Sequence, residues 1–294
     1  MAKFVLSAFA DEAGSSLTEQ ITALKENGID YIEPRNIGGK GILKLTEDEL
    51  REVKAELDKN GIKVNSLGSP IGKFPIGSPF SEHLPDLERA FRAAEILETK
   101  NIRMFSFFIP KDQCAKDYTE EVVERLSKMT ELAKERGIQL CHENEKGIYG
   151  QNPEEVDTLV EKLHGLKFIF DGANYRECDC DTIKGIEVTL KRLGYMHIKD
   201  AIYSPHMIVP AGEGEAKLDK VIEMVNEATD GVVYMTLEPH LHIFDAFKDI
   251  DDTELRGKYT FKTQREAFDC AVSSLKALLT RLGYERNGNN EWIK

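Results

Sequence analysis

Apolar and polar residues follow one recurring order along the chain: a short apolar run, then a longer segment that is apolar on one side only. Within segment 118–136, apolar residues recur at the spacing of one helix face, at Val122, Leu126, Met129 and Ala133. Most other positions of this segment are charged, so only one face is expected to be buried. The pattern predicts amphipathic helices that alternate with buried strands, which is typical of a parallel sheet covered by helices.

Eight strand–helix units can be counted along the sequence. The predicted strands are 4–9, 30–33, 63–66, 102–107, 138–142, 167–170, 195–198 and 232–237. The predicted helices are 16–27, 46–60, 83–98, 118–136, 153–164, 182–193, 216–229 and 262–284. Eight such units in succession favour a closed (β/α)8 TIM barrel, and an open doubly wound sheet is the competing fold.

Residues that start and stop helices support these boundaries. Ser16 with Glu19, and Thr46 with Glu49, have the spacing of a capping box. Several predicted helices are followed by a glycine, such as Gly28, which can close a helix without the steric penalty of a Cβ atom. The element boundaries therefore depend on local chemistry as well as on hydrophobic period.

No stretch rich in Pro, Gly or Ser divides the chain. Residues 1–284 are therefore predicted to form one barrel domain, and residues 285–294 a polar C-terminal tail that is either loose or docked. Two long connections, 67–82 and 239–261, follow predicted strands at their C-terminal ends. Barrel active sites are built at that end, so we expect these loops to be lids or pocket walls.

Composition narrows the class of protein. The formal charge of −13 argues against a protein that binds nucleic acid by coating phosphates with Lys and Arg. The apolar runs are shorter than a membrane helix, so we expect no membrane span. Five cysteines cannot all pair with one another, which favours a reducing, cytoplasmic setting.

Predicted strands five to eight each end in an acidic residue or a histidine directly after apolar residues: Glu143, Asp171, His197 and Glu238. Taken singly, each would be an ordinary loop carboxylate or a hydrogen-bonded core histidine. Taken together, they would meet at one edge of a closed barrel, where clustered carboxylates need a compensating cation. Three carboxylates and one imidazole suit one divalent cation: Mn²⁺, Mg²⁺, Co²⁺ or Zn²⁺.

The segments around these residues resemble the xylose-isomerase-like TIM-barrel superfamily of sugar phosphate isomerases and epimerases, ketose 3-epimerases and inosose dehydratases. The best-matching pieces are 143–144, Asp171, 197–200, 210–215 and 237–240, and the resemblance extends from Ala8 to the last helix. It implies that the four residues at the ends of strands five to eight bind one divalent cation. It also implies that Glu143 and Glu238 exchange protons with a sugar from opposite faces, through an enediolate.

Further polar residues at strand ends are expected to bind the substrate: Arg35, Glu145, Asn174, Lys199 and His240. Asn174 and Tyr203 stand where the ketose epimerases carry His and Arg, which argues against plain ketose epimerisation. Lys199 would share a strand face with His197, two residues earlier. It would there bind a substrate oxygen or, in the alternative interpretation, pair with a neighbouring carboxylate.

The loop Gly212-Glu213-Gly214 offers backbone N–H groups near the end of strand seven. We expect these groups to be available to substrate oxygens or a phosphate. The adjacent Glu213 and Glu215 disfavour an anion there, which favours an unphosphorylated sugar or polyol as the substrate.

Four functions are compatible with this pattern. The first is a divalent-metal-dependent sugar isomerase or epimerase, and the second is a lyase or dehydratase that acts on a keto-sugar or inosose with the same metal site. Seven histidines and the negative charge argue against the third, a zinc-dependent abasic-site endonuclease. The fourth, an inert sugar-binding barrel, would not need two proton-transferring glutamates. We favour the isomerase, with a sugar or polyol as its partner; the resemblance also suggests a homo-oligomer.

Overall fold

A ring of parallel strands forms the centre of the protein, and the computed structural model describes residues 1–204, 206–241 and 259–294. The strands of the described residues are β1 (Ala2–Ala8), β2 (Tyr31–Ile32), β3 (Asn36–Ile37), β4 (Lys40–Gly41), β5 (Lys63–Val64), β6 (Leu67–Ile71), β7 (Asn101–Met104), β8 (Gln139–Glu143), β9 (Lys167–Asp171), β10 (Leu193–Ile198), β11 (Asp200–Ile202), β12 (Met207–Val209), β13 (Gly231–Leu237), β14 (Glu285–Arg286) and β15 (Glu291–Ile293). The α-helices are α1 (Leu17–Glu26), α2 (Glu47–Lys59), α3 (Leu84–Ile96), α4 (Thr119–Glu135), α5 (Pro153–Lys162), α6 (Gly172–Glu177), α7 (Thr182–Leu190), α8 (Leu218–Ala228) and α9 (Gln264–Arg281).

The strand ring closes on itself. Parallel ladders join β1 to β13, β13 to β10, and then β10 through β9, β8 and β7 to β6. On the other side, β2 pairs with β5 in parallel, and the Glu33 amide donates to the Ala8 carbonyl at 3.0 Å. Because β5 and β6 are successive parts of one strand, the ring has no open edge. The predicted (β/α)8 TIM barrel is confirmed, and the open sheet is wrong.

Local sequence chemistry fixes the helix boundaries as predicted. Both capping boxes are present, the first between Ser16 and Glu19 and the second between Thr46 and Glu49. The predicted stripe of α4 is buried: Val122, Leu126, Met129 and Ala133. The helices therefore cover the strands with one apolar face each and leave their charged faces to solvent.

The barrel interior is polar where β1 and β13 face the residues between β5 and β6. The Ser7 hydroxyl donates to Asn65 Oδ1 at 2.6 Å, and Asn65 Nδ2 donates to Thr236 Oγ1 at 3.2 Å. All three residues are buried. These hydrogen bonds satisfy polar groups that would otherwise be costly to bury, and they place a polar layer below the strand ends.

Besides the short strands β3, β4, β11, β12, β14 and β15, which were not predicted, two elements near the strand ends differ from the sequence prediction. Strand three was expected to end at residue 66, but β6 carries it on to Ile71 because Gly68 lets the backbone approach Phe9 and the Pro34 carbonyl. The helix α6 was not expected, and it starts because the Asp171 side chain accepts the amide of Asn174 at 2.9 Å.

The tail at 285–294 is docked, which the sequence left open. Its strand β15 pairs antiparallel with β1, with Trp292 opposite Phe4, and Trp292 is buried. The long connection predicted at 239–261 lies outside the described residues from 242 to 258. Among the described residues, no helix is long and apolar enough to cross a membrane.

Candidate metal centre and active site

The four predicted ligand residues meet at the C-terminal end of the barrel. Glu143 and Asp171 are the last residues of β8 and β9, His197 lies in β10, and Glu238 directly follows β13. Each of them offers one ligand atom, and these atoms all lie within 4.8 Å of one another. All four side chains are buried. We call these four residues the ligand quartet.

The quartet contains oxygen and nitrogen atoms suited to a cation. His197 Nδ1 lies 2.8 Å from Glu143 Oε1 and 3.5 Å from Glu238 Oε2. Asp171 Oδ2 and Glu238 Oε2 are buried and make no hydrogen bond, although Lys199 Nζ lies 3.3 and 3.7 Å from them. Buried carboxylate oxygens without hydrogen bonds are costly, and a divalent cation would compensate them. The residues present therefore fit one divalent cation.

The electrostatics of the quartet point the same way. Burial lowers the pKa of His197, but the carboxylates of Glu143 and Glu33 outweigh it and raise the pKa to about 10. Burial raises the pKa of Asp171 to about 7, against the opposing charge of Lys199. Both shifts favour bound protons, at His197 because of the neighbouring carboxylates and at Asp171 chiefly because of burial. A divalent cation would replace those protons.

Lys199 and Asn174, both predicted to bind the substrate, lie inside this cluster. Lys199 Nζ donates to Asn174 Oδ1 at 2.9 Å, and Asn174 Nδ2 donates to the Asn144 carbonyl at 2.8 Å. Burial lowers the pKa of Lys199, but Asp171 and Glu238 outweigh it and raise the pKa above its ordinary value. Lys199 is therefore held as an ammonium group beside the quartet.

Arg35 and His240, also predicted, lie on the Glu238 side of the quartet. Arg35 Nη1 donates to Glu238 Oε1 at 3.2 Å, and its other nitrogens contact Asp11 at 3.0 Å and Glu12 at 3.1 Å. His240 Nε2 lies 3.4 Å from Glu238 Oε1. Burial lowers the pKa of His240 to about 4, so this ring is neutral near pH 7.

The fifth predicted substrate residue, Glu145, lies further from the centre. Its carboxylate pairs with Lys73 Nζ at 2.9 Å and is partly exposed. Burial raises the pKa of Glu145, but Lys73 and Lys199 outweigh this and lower it overall. Glu145 is thus a rim residue, whereas the other four predicted residues contact the quartet directly or through one side chain.

Two buried charged residues at the quartet were not predicted. Arg103 in β7 donates from Nη1 to Glu143 Oε2 at 3.2 Å. Glu33, directly after β2, lies 3.3 Å from His197 Nε2 and accepts the Tyr195 hydroxyl at 2.8 Å. Glu33 follows Tyr31 and Ile32 at the end of predicted strand two, which is the signal that identified the quartet in strands five to eight, so the same test at strand two would have found it. Arg103 is basic and lies inside its strand, between Ile102 and Met104, so that test would not have found it.

A sequence profile described as "Xylose isomerase-like TIM barrel" matches residues 21–253. The chain belongs to the xylose isomerase-like TIM barrel family. The matched residues include the whole quartet, so the family assignment and the geometry concern the same part of the chain. No curated protein matches the chain significantly.

Solved structures of this fold align along nearly the whole chain. The IOLI protein with a bound zinc atom aligns with a TM-score of 0.70 and 15% identity, covering 95% of this chain and 99% of that chain. The probable 3-DHS dehydratase AsbF from Bacillus anthracis gives 0.71 and 16%, covering 93% and 98%. The 3-keto-D-glucoside 4-epimerase YcjR from E. coli gives 0.65 and 18%, covering 95% and 100%. At such identities the similarity establishes the fold alone.

In this xylose isomerase-like barrel, the loop Gly212-Glu213-Gly214 does not offer free N–H groups, so that expectation was wrong. The amides of Gly212 and Gly214 donate to Asp200 Oδ2 at 2.9 and 3.0 Å, and the Ala216 amide donates to Asp200 Oδ1 at 3.0 Å. A Cβ atom on Gly214 would lie 2.2 Å from Asp200 Oδ1. The glycine therefore serves a close approach to Asp200, and the loop is a support for the strand end.

Proposed function

We propose that the protein is a divalent-metal-dependent enzyme that isomerises or epimerises a sugar or keto-sugar. The observation that carries this proposal is the convergence of the ligand quartet, with two buried carboxylate oxygens that make no hydrogen bond. The structural neighbours that are named as a zinc-binding IOLI protein and a keto-glucoside epimerase support metal-assisted sugar chemistry. The family assignment agrees with this class of reaction.

The quartet would hold the cation through Glu143, Asp171, His197 and Glu238. When bound there, a divalent cation would polarise a substrate carbonyl and offset the charge of an enediolate. The two glutamates are suited to proton transfer because each has one oxygen fixed by an arginine. Arg103 holds Glu143 Oε2 and Arg35 holds Glu238 Oε1, so the other oxygen of each faces the cluster. One glutamate would take the proton from the carbon beside the carbonyl, and the other would return one.

Lys199 would bind a substrate oxygen. Its ammonium group is held by Asn174 and stays protonated because its pKa is raised by the surrounding carboxylates, after burial has lowered it. A group that keeps its proton donates hydrogen bonds and does not act as a base. The general base is therefore assigned to a carboxylate.

A lyase is the second candidate. The same ammonium group of Lys199 lies beside the quartet and would donate a hydrogen bond to a departing hydroxyl of a keto-sugar or inosose, after the same first proton abstraction. The second glutamate would then supply the proton with which that hydroxyl leaves as water. The neighbour named as a probable dehydratase supports this alternative. Isomerisation and elimination thus share their first step and diverge only afterwards.

Proton exchange in D₂O tests the proposal and separates the two reactions. Inososes, keto-glycosides and ketoses are incubated with the protein and Mn²⁺, Mg²⁺, Co²⁺ or Zn²⁺, and the products are read by NMR. An isomer or epimer with one solvent deuterium supports the isomerase, and loss of water or of an aglycone supports the lyase. Exchange that proceeds equally with EDTA would contradict both.

A further inference from the structure

A cavity of about 660 Å³ opens beside the quartet, between the segment after β2, the end of β6 and the start of α3. Its charged lining residues are five basic ones and one acidic one: Arg35, Lys44, Lys73, Arg89, Arg103 and Asp86. The chain as a whole has more acidic than basic residues, 52 against 39, so the charge of this lining is opposite to the net charge of the chain. The volume suits a sugar-sized ligand. We call it the basic cavity.

Three of the five cations are stacked against two buried phenylalanine rings. The Cζ atoms of Arg35 and Arg103 lie 4.6 and 4.8 Å from the Phe9 ring centroid. Arg103 Cζ and Lys73 Nζ lie 5.2 and 4.4 Å from the Phe105 ring centroid. Cations and rings therefore alternate, in an arrangement that favours a positive charge at each place. The stack holds its cations in fixed positions along the wall.

The inner end of the basic cavity reaches the proposed chemistry. Arg103 donates to Glu143, and Arg35 donates to Glu238, so the two arginines line the cavity and hold the proton-transferring glutamates at the same time. A ligand that fills the cavity would place one end against these two guanidinium groups, which contact Glu143 and Glu238. The cavity therefore adjoins the proposed active site.

The outer end carries cations that are open to a ligand. Within the residues that the structure describes, Lys44 Nζ makes neither an ion pair nor a hydrogen bond. Arg89 pairs with Asp86, three residues earlier on α3, and its side chain is 56% exposed. Ile42 and Leu43 line the same cavity and add apolar surface beside these cations.

We propose that the basic cavity is an anion subsite, and that the substrate is a sugar or polyol that carries a carboxylate or phosphate group. Its anionic end lies between Lys44 and Arg89, and its hydroxyl and carbonyl groups reach the quartet. This inference rests on the proposed function for the inner end, and names the substrate class of that site. The expectation of an unphosphorylated substrate depended on the Gly212-Glu213-Gly214 loop. In the structure, the Gly212 and Gly214 amides of this loop donate to Asp200 instead of facing a substrate.

Binding without turnover tests the subsite. The full chain with Mg²⁺ is titrated calorimetrically with D-gluconate, D-glucose 6-phosphate and neutral sorbitol. We expect at least one anionic probe to bind about tenfold more tightly than sorbitol at low salt, with the difference shrinking at high salt. Tighter binding of gluconate than of sorbitol identifies a carboxylate subsite. Tighter binding of glucose 6-phosphate alone identifies a phosphate subsite.

Matched variants locate the effect. The double variant Lys44→Gln, Arg89→Gln should weaken the anionic probe about tenfold and leave sorbitol unchanged. The control is Lys40→Gln, Arg51→Gln. Lys40 lies in β4, just before the segment of Lys44. Arg51 is 54% exposed and pairs with Asp48, three residues earlier, as Arg89 does with Asp86. Neither control residue lines the cavity.

Two results would overturn the subsite: anionic probes that bind no more tightly than sorbitol, or an equal loss in the control variant. Neither result touches the proposed function, because proton exchange into neutral keto-sugars is measured separately in D₂O. Conversely, the protein could bind anions in a way that depends on Lys44 and Arg89 and yet catalyse no proton exchange. That result would support the anion subsite and contradict the proposed isomerase activity.

Discussion

The two sides of the barrel's C-terminal end carry opposite charges. The strands β8, β9, β10 and β13 bring together the ligand quartet, which holds three carboxyl groups and one imidazole. The segments after β2 and β6, with the start of α3, form the basic cavity. Arg103 and Arg35 belong to both sides, because each lines the cavity and donates to one glutamate of the quartet. The two arginines therefore orient the glutamates and compensate part of their negative charge.

The largest expected effect is on the acidic side. Glu143→Gln and Glu238→Gln should each slow metal-dependent proton exchange by about 10²–10⁴-fold, because each removes one of the two carboxylates proposed to transfer protons. Deuterium incorporation by NMR measures the rate, and circular dichroism checks that the variants fold. Glu145→Gln is the control, since Glu145 pairs with Lys73 at the rim, and this variant should slow proton exchange much less. Full exchange in both quartet variants would refute their assignment.

The next effect concerns the link between the two sides. Arg103→Met leaves Glu143 buried without its guanidinium partner, which should lower the free energy of unfolding by about 3–5 kcal/mol. Urea unfolding in EDTA measures this loss without a contribution from bound metal.

The double variant Arg103→Met, Glu143→Gln is the companion measurement. It should recover most of the stability lost in Arg103→Met, because the unpaired charge is gone. If Arg103→Met is as stable as the unmodified protein, Arg103 does not compensate the charge of the quartet.

A smaller effect is expected below the quartet. Glu33 lies 3.3 Å from His197 Nε2, where a carboxylate fixes the orientation of a metal-binding imidazole. Glu33→Gln should weaken divalent-cation binding by about 10- to 100-fold, measured by calorimetry with Mn²⁺ and with Zn²⁺. Tyr195→Phe is the matched control, since it removes the other hydrogen bond of Glu33, of 2.8 Å, and leaves the contact with His197. Equal losses in both variants would mean that Glu33 only supports the fold.

The sequence was sufficient to predict the residues of the ligand quartet, but not to predict the basic cavity. The quartet was predictable because closing a parallel barrel brings all strand C-termini together, so each residue needed only its strand position. Glu33 carried the same signal at the end of strand two and went unnoticed only because that strand was not searched. Arg103 did not carry it, because it is basic and lies inside strand four.

The basic cavity is different in kind. Its wall includes short irregular segments around β3 and β4, and such segments have no hydrophobic period from which their shape can be predicted. That Lys44 and Arg89 line one cavity depends on how these segments fold over α3, which composition and spacing do not reveal. The role of the Gly212-Glu213-Gly214 loop was predicted wrongly for a related reason. Its N–H groups donate to the Asp200 side chain, whose direction cannot be predicted from the sequence.

The smallest expected effect concerns the support of the basic side. His83 Nε2 accepts the Gly72 amide at 3.0 Å, and Gly72 precedes Lys73 of the basic cavity. Burial lowers the pKa of His83 from 6.5, while Asp86 raises it and Arg125 lowers it further. A protonated ring could not accept this hydrogen bond, and the unfolded chain takes up the proton more readily. His83 therefore contributes full stability above about pH 6.5, and that contribution is lost as pH falls through the lowered folded pKa.

Urea unfolding between neutral and mildly acidic pH tests this contribution. Below pH 6.5, the free energy of unfolding should decline with a slope of at most about 1.4 kcal/mol per pH unit from this residue. His83→Gln keeps a hydrogen-bond acceptor but cannot take up a proton, so its profile should be flatter over the same range. The difference between the two profiles isolates His83 from the acidic groups of the quartet, which both proteins share. Parallel profiles would show that His83 takes up its proton equally readily in the folded and the unfolded chain, and that its hydrogen bond with the Gly72 amide does not hold it neutral.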